Sequence, residues 1–233
     1  MKKTLILSLL LNFLGIGIFG SFIYKNGGIR SLKLKSNSAL DNKHTSNLIY
    51  KTQKSIYEIL PNDSDEIVFL GNSIIRICEW HELFENSNIK NRGLSGDIIS
   101  GVQFRLDEIV ASQPQKIFIM IGINDVGQNK SVKQIFKEYE NLVRELIKKS
   151  PTTKIYIQSI LPTIKRKNNR KIVEINKILK AMSQELNLTY IDLYSHFTDS
   201  SNQLQAELTF DGLHINGKGY LLFKKIIEKH VNE

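Results

Sequence analysis

The sequence predicts an α/β fold, a three-layer sandwich in which a five-stranded parallel sheet lies between two layers of helices. Three observations carry this. Short runs rich in β-branched residues are apolar throughout instead of alternating, as strands buried on both faces are. Amphipathic stretches of helical period separate them, so that strand and helix alternate along the chain. Polar residues gather just after the strands, at the end where open α/β sheets bind their ligands.

The chain begins Met-Lys-Lys and continues with an apolar segment, Leu5 to Ile23. At about 19 residues it is near the minimum that spans a bilayer as a helix. No clean small-x-small cleavage site comes after it, and there is no lipobox cysteine, so residues 1–24 read as an uncleaved membrane anchor. Lysines flank the segment on both sides, Lys2 and Lys3 before it and Lys25, Arg30, Lys33 and Lys35 after it. We read the domain beyond it as extracytoplasmic, because short N-terminal anchors usually export the domain attached to them; secretion after cleavage is the other reading. Residues 25–46 are polar, with Gly27-Gly28 and KSNSALDNKHTSN, and read as a flexible tether. Residues 47–233 then read as one folded domain.

Its first element is the amphipathic NLIYKTQKSIYEILP, with Leu48, Ile49, Ile56, Ile59 and Leu60 on one face and Pro61 as its stop. Strands are predicted at 66–71 (EIVFLG), 88–91 (NIKN), 116–122 (KIFIMIG), 154–159 (KIYIQS) and 188–193 (LTYIDL). Helices are predicted at 74–85, 98–111, 131–149, 170–187 and 217–231. A flavodoxin-like strand order is the simplest arrangement of these elements. It brings Ser73, Gly93, Gly96, Asn124, Asp125, Ser159, Asp211 and His214 to one edge of the sheet.

Composition narrows the function. A hydrophobic content of 41% argues for a folded core. One cysteine, Cys78, rules out an intrachain disulfide framework and an all-cysteine metal site. The formal charge of +9 comes from lysines scattered along the whole chain, with no stripe that would mark a nucleic-acid interface. Two glycine motifs lack their structural context. GIGIFG (15–20) lies inside the apolar segment with no strand before it. GLHINGKG (212–219) lacks the Ser/Thr of a phosphate loop and falls at the end of the chain.

Ser73, in FLGNSII, stands where a strand meets a helix. A serine there is commonly an N-cap. The same place suits a nucleophile, given a base and an acid that fixes the base's tautomer. Asp211-Gly-Leu-His214 offers both, although Asp41-Asn-Lys-His44 in the tether has the same spacing and Asp192 with His196 is a further competitor. His81 reads as a surface residue, and His230 as a cap for the last helix. The N–H groups of Ser73 and Gly96 and the amide of Asn124 would supply an oxyanion site. Arg76 and the run Lys165 to Lys171 read as solvated charge, the run being a loop ahead of a helix.

Taken together, four blocks resemble the SGNH hydrolases, the GDSL-type esterases and lipases. They are FLGNSI (69–74), NRGLSGD (91–97), IGINDVG (121–127) and DGLHINGKGY (211–220). WHELF, QSILP and YIDLYSHF are similar to its platelet-activating-factor-acetylhydrolase-like branch. The resemblance covers roughly residues 48–231. It implies Ser73 as nucleophile, His214 as general base and Asp211 as its partner, with Ser73, Gly96 and Asn124 as the oxyanion hole and no metal or organic cofactor. One departure is Asn72, where the family name records an aspartate. The implied activity is hydrolysis of short acyl esters of lipid or carbohydrate. The alternatives are an acyltransferase and a silent glycan- or lipid-binding module, while a metallohydrolase would need ligands beyond Asp211 and His214. The G-x-S-x-G elbow of α/β-hydrolases is absent.

Overall fold

A computed structural model describes residues 48–233 apart from residue 62. The predicted anchor and tether, with Asp41 and His44, lie outside the described residues. Among the described residues no helix is long and apolar enough to cross a membrane.

Five strands form the sheet: β1 Ile67–Gly71, β2 Ile89–Gly93, β3 Lys116–Met120, β4 Lys154–Gln158 and β5 Thr189–Ile191. All neighbours run parallel, in the order β2-β1-β3-β4-β5. β1 and β3 are buried along their whole length, as their unbroken apolar runs require. β2 is an edge strand, and its IKNRG is accordingly the most polar of the five.

Side chains alternate across the sheet and build two cores. Val68, Leu70, Ile117, Ile119, Ile155 and Ile157 face one of them. That core is covered by α4 (Ile99–Phe104), α5 (Leu106–Val110), α7 (Val132–Lys149) and α8 (Arg166–Glu185). Ile67, Phe69, Phe118, Met120 and Tyr156 face the other, under α2 (Ser73–Ile77), α3 (Trp80–Leu83) and α10 (Gly217–Asn232). Phe69, Phe118 and Tyr156 are register partners on three adjacent strands. Their rings stack at 5.2 and 4.4 Å, and Trp80 extends the stack at 4.7 Å from Phe69. The remaining helices are α1 (Leu48–Ile59), α6 (Ile123–Gly127) and α9 (Tyr194–Phe197).

Four local expectations are corrected. The helix predicted over 74–85 is broken after Ile77, because side chains take the carbonyls that would continue it. Asn91 Nδ2 donates to the carbonyls of Ile75, Arg76 and Cys78, and Trp80 Nε1 donates to Ile75. The helix predicted over 98–111 turns at Arg105, whose guanidinium is drawn inward to Asp97 and the Arg92 carbonyl. α8 starts at Arg166, so most of the basic run is helix, not a loop. In α1 the packed face is the one carrying Tyr50 and Tyr57, while Leu48, Ile56, Ile59 and Leu60 are exposed. The tyrosines win because their hydroxyls find buried acceptors, Tyr50 on Gly101 O at 2.8 Å and Tyr57 on Gly93 O at 3.0 Å.

Candidate active site

β1 ends at Gly71, and Asn72 caps the helix that comes next. Its buried side-chain oxygen accepts the Ile74 N–H at 3.0 Å. Asparagine is among the best residues for this task, and it leaves Ser73 as the first helical residue with its hydroxyl uncommitted to the backbone. Ser73 is therefore not the cap. Its Oγ lies 2.9 Å from His214 Nε2.

His214 comes from the loop before α10, and that loop is stiffened by its own polar side chains. Asp211 Oδ1 accepts the N–H of Leu213 at 2.9 Å and of His214 at 2.8 Å. Thr209 Oγ1 donates to His214 O at 2.6 Å and accepts the Gly212 N–H at 2.9 Å. Gly212 has φ +77, a conformation that suits glycine, and its carbonyl accepts the Ile164 N–H. Tyr220 Oη donates to Ile74 O at 2.7 Å, which ties this half of the site to the helix that carries Ser73.

Asp211 Oδ2 sits 2.6 Å from His214 Nδ1. That hydrogen bond holds the Asp211 carboxyl down at about 2. An ionised carboxylate only accepts, so Nδ1 carries a ring proton, and in the Nδ1–H tautomer Nε2 presents its lone pair. The Ser73 hydroxyl then donates to Nε2. This is the arrangement in which a serine can lose its proton to a histidine.

The loops that carry the other expected donors start beside the strand that leads to Ser73. Gly71 is in register with both Gly93 of β2 and Met120 of β3, so the loops after these three strands start side by side. Gly96, at φ +78, lies in the loop after β2. Asn124, in α6 after β3, donates through Nδ2 to Asp97 O at 2.8 Å, which fastens the two loops together. Among the described residues the backbone N–H groups of Ser73 and Gly96 engage no acceptor. Gly93 makes the approach possible: a Cβ there would fall 2.3 Å from Arg76 N.

Of the supporting residues, Asp125 was placed at the sheet edge by the sequence, whereas Asp97, Arg105 and Thr209 were not singled out. Asp97, fully buried, receives Arg105 Nε at 3.0 Å, and Arg105 also donates to Arg92 O at 2.7 Å. The signal for it was present, because Arg105 lies on the apolar stripe of Ile98, Val102 and Ile109. Asp125 accepts the Ile99 N–H and has Lys130 Nζ at 2.9 Å; burial nevertheless pushes its carboxyl up to about 6. Thr209 carried no sequence signal.

The competing residues are placed elsewhere. Asp192 Oδ1 accepts the Ser195 N–H at 3.1 Å. Ser159 is fully buried, its Oγ accepting the N–H groups of Leu193 and Tyr194. His81 is half exposed near Glu82, His230 faces Glu233, and Arg76 reaches toward Gln53 of α1. Among the described residues no three His, Cys, Asp or Glu side chains gather as metal ligands would.

Comparison with known proteins agrees with this architecture. The chain is 26% identical over 164 residues to platelet-activating factor acetylhydrolase IB subunit alpha2 of Rattus norvegicus, covering 66% of this chain and 71% of that one. A solved Streptococcus pneumonia structure, provisionally named for platelet activating factor, superposes with a TM-score of 0.72 at 26% identity, covering 87% of this chain and 98% of that one. An acetylxylan esterase from Geobacillus stearothermophilus shares the fold, with a TM-score of 0.61 at 20% identity over 74% of this chain and 96% of that one. The model of the GDSL-like Lipase/Acylhydrolase family matches residues 70–222. With four sequence blocks meeting at one sheet edge and a family match across most of the described chain, this protein belongs to the GDSL-like lipase/acylhydrolase (SGNH) hydrolases.

Proposed function

We propose that the protein is a serine esterase that hydrolyses short acyl esters, acetyl esters above all, through an acyl-serine intermediate. The observation that carries this reading is the continuous relay from Ser73 Oγ through the imidazole of His214 to Asp211, at 2.9 and 2.6 Å. In the first step Ser73 Oγ forms a bond to the ester carbonyl carbon while its proton passes to His214 Nε2. The carbonyl oxygen becomes an oxyanion and accepts hydrogen bonds from the N–H of Ser73, the N–H of Gly96 and the remaining Nδ2–H of Asn124. Each such donor is worth roughly 10²–10³ in rate. The bond to the alcohol oxygen then breaks, and His214 returns the proton to that oxygen. Water repeats the sequence: His214 takes its proton, the hydroxide attacks the acyl carbon, and Ser73 leaves with the proton from His214.

Labelling with a fluorophosphonate tests the reading directly. The expected result is one adduct on Ser73, absent in Ser73→Ala, together with loss of acetyl-ester hydrolysis in that variant. A wild-type protein that neither labels nor hydrolyses acetyl esters would instead be a silent binding module on this fold. We also propose that residues 1–24 anchor the protein with its catalytic domain outside the cytoplasm. Protease added to intact spheroplasts should then remove the domain, and a protected domain would contradict that placement.

A further inference from the structure

Asp125 stands next to Asn124 in α6, and both residues reach across to the loop after β2. Asn124 Nδ2 donates to Asp97 O at 2.8 Å, and Asp125 Oδ2 accepts the Ile99 N–H at 3.2 Å. Neighbouring residues of one loop thus grip Asp97 and Ile99 of the other. The second grip answers a local need. Ile99 opens α4, so no carbonyl within that helix reaches its N–H. The cap position before it is Ile98, whose side chain offers no acceptor. Ile99 and Asp125 are both fully buried, and an N–H left unpaired in such a place is costly. Asp125 is itself held from the far side by Lys130 Nζ at 2.9 Å, and Lys130 also binds Glu138 of α7 at 2.7 Å.

The gripped stretch is the one that carries Gly96. A turn from Leu94 to Asp97 is closed by the Asp97 N–H on Leu94 O at 3.1 Å, with Gly96 at its third position and φ +78. Gly96 therefore directly precedes the residue that Asn124 grips. In the reaction proposed above, on which this inference rests, Gly96 and Asn124 donate to the same oxyanion, so their relation must be fixed before charge develops there. The single bond from Asn124 to Asp97 would let the two loops pivot about it, and the bond from Asp125 to Ile99 removes that freedom. We infer that Asp125 is a positioning residue of the ester hydrolysis: without touching the substrate, it locks the Gly96 and Asn124 donors into one rigid unit through Ile99.

The test is hydrolysis of an acetyl ester by the full chain, with kcat expressed per Ser73 labelled at completion by a fluorophosphonate. That final extent counts folded sites whatever the stability of a variant. In Asp125→Ala, kcat per labelled site should fall about 10–100-fold, as displaced donors require, with KM within about twofold of wild type because the oxyanion forms only beyond the ground state. Asp125→Asn keeps an oxygen for the Ile99 N–H and leaves Lys130 to Glu138, so it should recover most of the lost kcat. Ile99→Pro removes the same bond from the donor side, at a first helical position that proline suits, and should lower kcat likewise even where the alanine variant does not fold. Asn124→Ala already lacks one of the aligned donors, so adding Asp125→Ala to it should cost severalfold less than in the wild-type chain. An unchanged kcat per labelled site in Asp125→Ala or Ile99→Pro, a loss that lies in KM, an undiminished loss in the Asn124→Ala background, or an Asp125→Asn variant no better than the alanine would each overturn the inference alone. Turnover that survives in Ser73→Ala, or a wild-type kcat in Asn124→Ala, would instead overturn the catalytic reading beneath it.

Discussion

Replacing Gly93 by alanine should damage stability and activity together, through one contact. Gly93 ends β2 against the first turn of α2. An added Cβ would lie 2.3 Å from Arg76 N, 2.7 Å from Arg76 Cα and 2.8 Å from the carbonyl carbon of Ile75. All three are backbone atoms, so no side chain can rotate out of the way. Non-bonded carbon contacts settle near 3.5–4 Å, and relief therefore requires β2 and α2 to separate by on the order of 1 Å. Gly93 is not in the left-handed region, so the cost is steric and not conformational. Overpacking of this kind costs about 1–3 kcal/mol, and an immovable backbone places Gly93→Ala at the upper end. For a domain of this size that is a fall in Tm of about 6–12 °C. The same displacement moves Ser73 relative to His214, now 2.9 Å away, and a misplacement of about 1 Å can cost 10²-fold in rate. The matched control is Gly127→Ala, where a Cβ meets nothing within 4 Å and the backbone already suits an L residue. It should be neutral or stabilising by up to about 1 kcal/mol. Thermal unfolding and hydrolysis of an acetyl ester measure both effects. Equal Tm and equal kcat/KM in the two variants would refute the close-packing account.

Three more sets of substitutions address the rest of the site. Asn72→Ala should cost about 1 kcal/mol in equilibrium denaturation, whereas Asn72→Asp, which keeps an acceptor for the Ile74 N–H, should retain the cap. Arg105→Met removes the guanidinium from the buried Asp97 carboxylate and should cost about 3–5 kcal/mol; adding Asp97→Asn should recover part of it, and an additive double mutant would show that the pair does not act as one. Asp211, held at about 2 against an ordinary 3.8, binds its proton more weakly in the native state than in the unfolded chain. Its contribution to stability is whole above about pH 4 and is lost as pH falls through 2. The Tm difference between wild type and Asp211→Asn should therefore shrink from pH 5 to pH 2; a constant difference would separate the pair from stability.

The sheet was legible because it is buried on both faces. Unbroken runs such as IVFLG and KIFIM leave few other structures open, and the strand order comes from alternation with helices. Helix continuity was less legible, since periodicity counts apolar residues and not the side chains that steal carbonyls. Asn91 is 14 residues beyond Ile77, and nothing local tells that its amide will end α2 by binding three carbonyls there. α1 misled for the opposite reason. Its aliphatic residues outnumber Tyr50 and Tyr57, but only a tyrosine brings both area and a donor for the carbonyls of Gly101 and Gly93.

The site itself divides along the same line. Ser73, Gly96 and Asn124 come just after the ends of β1, β2 and β3, whose neighbours are set by the sheet register, so their placement on one edge could be read from strand order alone. Asp211 and His214 stand on no strand. Their spacing also occurs at Asp41 and His44, so spacing alone does not pick them out; the loop that holds them is set by Thr209, which binds Gly212 and His214, and by Tyr220, which fastens α10 to α2. Short motifs carry the chemistry, while residues outside them carry the geometry that makes it usable. Asn72 shows how the two meet. By taking the cap, it leaves the Ser73 hydroxyl to His214 and the Ser73 N–H unengaged, so that one residue change in the family block need not disturb the reaction next to it.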